Sequence, residues 1–73
     1  MLVSVRQTMN REGTFYSFET GGEALLAWAN ECLHSGIPAI VTTDFGRLRI
    51  SAITENDPAL ARWRIDLVEY STQ

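Results

Sequence analysis

Lysine is absent from this chain, cysteine and histidine occur once each, and proline occurs twice. Each scarcity excludes something. A lone cysteine, Cys32, forbids an intrachain disulfide, and a reducing compartment is its simplest setting. Cys32 and His34 are the only soft metal ligands. Two residues apart on a helix they point to different faces, so neither a metal site nor a cofactor is expected. Without lysine there is no phosphate-loop lysine and no strand lysine of a protein kinase. Asp44-Phe45-Gly46, which spells the kinase magnesium triplet, therefore reads as a hairpin turn. Arginine in place of every lysine also fits GC-rich coding, as in many bacterial genomes.

Long hydrophobic runs are missing too. No apolar stretch approaches the roughly 20 residues of a membrane-spanning helix. The first six residues, Met1-Leu2-Val3-Ser4-Val5-Arg6, alternate like a strand and lack the basic start and apolar stretch of a secretory leader. A cytoplasmic protein with no membrane contact is expected.

What the chain does contain is a globular composition: 45% apolar and 21% charged residues, a mixture that argues against disorder. Its 73 residues suffice for one small domain, 1–73. Such a domain buries only about 60% of its unfolded surface, and with disulfide and metal excluded a partner subunit is the remaining staple. Nine acidic residues face six arginines, at 6, 11, 47, 49, 62 and 64, for a net charge of −3. That balance gives no overall field for nucleic acid, which would need a local basic patch.

Residues 1–9 alternate around Val3, Val5, Gln7 and Met9, the period of a half-buried strand. Asn10-Arg11-Glu12-Gly13 suits a turn closed by a left-handed glycine. The aromatic segment 14–19 follows as a second strand, with Phe15 on one side and Tyr16 and Phe18 on the other, so its register stays open. Thr20-Gly21-Gly22-Glu23 reads as a capping box opening a helix over 21–35, with Leu25, Trp28, Ala29, Cys32 and Leu33 as the buried stripe. Gly36 is the left-handed stop and Pro38 prevents continuation. Two strands, 39–43 and 47–53, flank the Asp44-Phe45-Gly46 turn. Placing Asp44 opposite Arg47 matches Val41 with Ile50 and Ala39 with Ala52. Asp57 caps and Pro58 starts a short helical turn, and the last strand, 62–70, pairs Leu67 with Ile50 and Ile65 with Ala52.

The expected fold class is therefore α+β, ordered β-β-α-β-β-β, with one amphipathic helix on one face of an antiparallel or mixed sheet. One helix cannot cover both faces of such a sheet. The second face is expected to carry Ile40, Ile53, Val68 and Tyr70 with Arg47, Arg49 and Arg64, a mixture of apolar and arginine side chains like that of interfaces. These seven residues are the candidate partner-binding face.

No catalytic site is expected, because no nucleophile, base and orienter converge in the pattern. His34 has only Glu31 near it on the exposed helix face, and Cys32 lies on the apolar stripe. The function expected is that of a small non-enzymatic module that binds another protein and forms a homodimer. Its size suits an accessory or inhibitor protein of the kind phages and other mobile elements encode. The alternative is a small nucleic-acid-binding or regulatory protein that uses arginines interleaved with an aromatic on a sheet.

Overall fold

A computed structural model describes residues 2–70. Its elements are β1 (Leu2–Val3), β2 (Arg6–Asn10), β3 (Gly13–Thr20), α1 (Glu23–Ser35), β4 (Ile40–Thr43), β5 (Gly46–Asp57), a 3-10 turn (Pro58–Leu60) and β6 (Arg62–Glu69). This is the α+β domain that the residue pattern predicts, with the N-terminal strand divided in two.

Local chemistry sets both hairpins. The Asn10 carboxamide oxygen accepts from the Glu12 N–H at 2.8 Å, and Gly13 takes φ +134°, so β2 turns into β3 with Asn10 opposite Gly13. In the second hairpin Gly46 takes φ +93° after Asp44 and Phe45. The Thr43 hydroxyl accepts from the Phe45 N–H at 3.0 Å and donates to the Gly46 carbonyl at 2.8 Å. Thr43 thus faces Gly46, and Val41 faces Leu48. That register is shifted by two residues from the expected one, with the two-residue turn at Asp44-Phe45 instead of Phe45-Gly46. Because the shift is even, every side chain keeps its face.

The sheet order is β1-β4-β5-β6-β3-β2, antiparallel except for β1 against β4. Its two edge strands are thus consecutive in sequence, separated only by Ser4 and Val5. Three residue steps span at most about 11 Å of extended chain. The sheet must curl until its edges nearly meet, and Val3 and Val5 pack against the core at the seam. Inside the curl lie Tyr16, Val41, Leu48, Ile50, Ile65 and Leu67, with Ala39. Phe45, from the second hairpin turn, meets the Tyr16 ring at 5.3 Å between centroids.

The helix packs chiefly on β5. Ala29 is its one buried residue among those described, and Leu26 and Cys32 flank it against the core. The expected stripe is rotated by part of a turn. Leu25 is half-buried, whereas Trp28 is 41% exposed and Leu33 38% exposed. A curled sheet presents a narrow interior, and the three-residue spacing of Leu26, Ala29 and Cys32 is enough to fill it.

Three further expectations are corrected. The helix begins at Glu23 with Gly22 as its N-cap and no side-chain cap. Thr20 instead ends β3 opposite Trp63, and its hydroxyl accepts from the Gly22 N–H at 3.0 Å, so no capping box forms. Second, β5 runs on to Asp57, which pairs with Arg62 and also caps the 3-10 turn by accepting from the Ala59 N–H at 3.1 Å. Third, a β-bulge at Ser51 interrupts the β5–β6 ladder. Ile50 faces Leu67 as expected, but Ala52 then faces Asp66 and Ile53 faces Ile65. The Ser51 hydroxyl donates to the Asp66 carbonyl at 3.1 Å across the bulge.

Candidate functional site

The outer face of the curled sheet can be read row by row, since directly opposed residues share a face. One row is Thr42, Arg47 and, at the end of β6, Tyr70. The Arg47 guanidinium carbon lies 5.5 Å from the Tyr70 ring centroid. The next row is Ile40, Arg49 and Val68, with Phe15 of β3 level with Val68, one step beyond the Tyr16–Leu67 pair. Then come Ala52, Asp66, Ser17 and Arg6, followed by Thr54, Arg64 and Glu19.

Five of the seven candidate residues are brought together at one end of this face: Ile40, Arg47, Arg49, Val68 and Tyr70. Arg64 is on the same face, two rows away, with its Nε 3.3 Å from an Asp66 carboxylate oxygen. Ile53 does not belong to the face. The bulge at Ser51 reverses the alternation, and Ile53 packs against the core beside Ile65. Two residues that the sequence reading left out join the face, Arg6 and Phe15. Phe15 is 46% exposed because Tyr16 and Phe18 take the interior. Their inward parity was the available signal, since it puts Phe15, and Ser17 opposite Arg6, outside.

Charge is distributed unevenly. Arg6, Arg47, Arg49, Arg62 and Arg64 all project from the outer face, against the carboxylates of Glu19, Asp57 and Asp66. That face carries a formal excess of two positive charges on a chain of net charge −3, which leaves five negative charges for the helix side and the turns. Arg62 and Arg64 have carboxylate neighbours, Glu19 at 3.8 Å and Asp66 at 3.3 Å. Among the described residues no carboxylate lies within ion-pairing distance of Arg47 or Arg49.

The groups weighed as chemical candidates lie elsewhere. His34 is exposed, and its Nδ1 is 3.1 Å from the Asn30 carbonyl oxygen one turn back. Cys32 is half-buried under the helix. No cluster of three histidine, cysteine or acidic side chains suited to a metal occurs among the described residues. No described helix is long and apolar enough to cross a membrane. Comparison with protein-family models, with curated proteins and with solved structures gives no match.

Proposed function

We propose that the protein is a small non-enzymatic interaction module, cytoplasmic, that binds another protein through the Arg47–Arg49 end of its outer sheet face. The observation that carries this reading is the row Ile40–Arg49–Val68. A cation with no carboxylate neighbour among the described residues stands between two aliphatic side chains, with the Arg47–Tyr70 pair in the next row. Arginine and tyrosine with apolar neighbours are the residues that anchor protein interfaces, and unpaired guanidinium groups call for carboxylates on the partner. An accessory or inhibitor role of the mobile-element kind suits a chain of this size.

The dimer expected from the sequence finds less support in this face. In a twofold contact the same patch meets itself, and here Arg47 and Arg49 would be brought against their own copies with no carboxylate among the patch's described residues to offset them. The curl also removes Ile53 from the apolar surface that such a dimer was expected to bury. A different, acidic partner fits the patch better than a second copy.

Nucleic acid is the second reading, favoured by the local positive excess and by two outer-face rings, the exposed Phe15 and the half-buried Tyr70. Against it stand the aliphatic flanks of Arg49 and the net charge of −3, which opposes approach to phosphates. The test is a pull-down from the source organism with three forms of the protein. A protein retained by wild type and by Glu23→Lys/Glu31→Lys, but lost with Arg47→Glu/Arg49→Glu, supports the proposal. Equal retention by all three, or nuclease-sensitive material in place of protein, overturns it.

A further inference from the structure

The other end of the outer face holds a second arginine group. Ser4, Arg6, Ser17, Glu19, Arg62 and Arg64 surround an open cavity of about 360 Å³. The sheet register explains why they converge. Arg6 stands opposite Ser17, and Arg64 stands opposite Glu19. Arg62 is two residues before Arg64 on the same side of β6, and Ser4 precedes Arg6 where the chain crosses the seam between the sheet edges. Strands β2, β3 and β6, with Ser4 of the link between β1 and β2, thus bring three arginines and two serines to the rim of one space.

Charge in this space is not balanced. Among the described residues Glu19 is the single carboxylate lining it against three arginines, and with Asp66 paired to Arg64 from outside, an excess of one positive charge remains. Its Oε2 lies 3.8 Å from the Arg62 Nε, a long contact between side chains that are both nearly half exposed, at 44% and 45%. Arg64 is held from outside the cavity by Asp66 at 3.3 Å. Among the described residues Arg6 has no carboxylate neighbour. Guanidinium groups bind oxyanions through paired, charge-assisted hydrogen bonds, and serine hydroxyls supply further donors to such a group. A tetrahedral oxyanion would offset that excess and accept from guanidinium and hydroxyl donors at once.

We propose that this cavity binds a phosphate dianion, carried as the free ion or as the terminal group of a monoester. Glu19 occupies part of the same guanidinium surface and competes with the incoming anion. The site is separate from the Arg47–Arg49 end, so its arginines can be altered without touching that patch.

Titration of nitrogen-15-labelled protein with inorganic phosphate, replacing sodium chloride at constant ionic strength, tests this directly. The pH is held at about 8.5, above the second ionisation of a phosphate monoester near 6 and above the higher one of the free ion. The expected result is saturable amide shifts confined to Ser4, Arg6, Ser17, Glu19, Arg62 and Arg64. Arg6→Gln/Arg62→Gln should abolish them while leaving the rest of the spectrum unchanged, because both side chains are exposed. Glu19→Gln should tighten binding about fivefold, the upper end of what one exposed ion pair contributes. O-phosphoserine binding as well as phosphate identifies a monoester as a source, and phosphate binding alone identifies the free ion. Linear shifts spread over the whole outer face, indifference to the arginine substitutions, or dimethyl phosphate binding as tightly as the dianions would each overturn the proposal.

Discussion

Replacing Ile53 or Ala52 by asparagine, one at a time, separates a bulged β5 from an unbroken one. With the bulge at Ser51, Ile53 is half-buried against the core opposite Ile65, and Ala52 lies on the outer face opposite Asp66. Full burial of an isoleucine side chain is worth about 1.5–3 kcal/mol. A half-buried one thus loses about 1–1.5 kcal/mol, and setting an amide against Ile65 adds about 1–2 kcal/mol more. The total of about 2–3.5 kcal/mol is a large part of the roughly 4–11 kcal/mol expected for 73 residues. Ala52→Asn, on the solvent side, should stay within about 0.5 kcal/mol. Urea unfolding followed by tryptophan fluorescence reads both. With a slope near 1 kcal/mol per molar, Ile53→Asn should lower the midpoint by about 2–3.5 M while Ala52→Asn barely moves it. The reverse ranking would mean that Ala52 points inward along an uninterrupted strand, and the account of which residues face outward beyond Ile50 would fail with it.

Ala61 holds φ +52°, a left-handed conformation that costs an ordinary residue about 1 kcal/mol. Ala61→Gly should therefore raise stability by about 0.5 kcal/mol after the extra freedom of the unfolded chain is counted, and an unchanged or lower melting temperature would contradict the strain. Thr20→Ala should cost about 0.5 kcal/mol through the lost hydrogen bond to Gly22, and its effect should add to that of Glu23→Ala. A measurable coupling between the two in a double-mutant cycle would restore the capping box. Val68→Asp should leave the oligomeric state seen by light scattering across a concentration series unchanged, whereas a shift towards smaller species would show that this face pairs with itself.

The parts of the fold that were legible in the sequence are those fixed within a few residues. Gly36 ends the helix with φ +73°, Asp57 caps the turn that Pro58 starts, and the Asn10–Gly13 turn closes the first hairpin. Pairing of Ile50 with Leu67 was also legible, because both strands alternate clearly there. Beyond that point Ala52 and Ile53 are both apolar, so alternation alone does not reveal the inserted residue at Ser51. The division of residues 1–9 into β1 and β2 is a tertiary event. It follows from the curl that brings the sheet edges together, and nothing in Val3-Ser4-Val5 signals a break. Leu26 instead of Leu25 turns to the core for the same reason, since a curled sheet meets the helix along a narrower line. Ile40, Arg47, Arg49, Val68 and Tyr70 were found from strand parity, which survived a two-residue error in register. Arg6 and Phe15 were not, because the first hairpin offered two inward faces of similar apolarity.

Site-specific photo-crosslinking from position 68 tests the central proposal most directly. A benzophenone side chain placed there, between Arg49 and Phe15 on the outer face, is irradiated in cells of the source organism. Binding of a protein through this face requires a defined heteromeric adduct that resists nuclease, disappears with Arg49→Glu, and is absent when the probe sits at Glu31 on the helix side. An adduct of twice the chain mass, a nuclease-sensitive adduct, or the same adduct from both positions would contradict it.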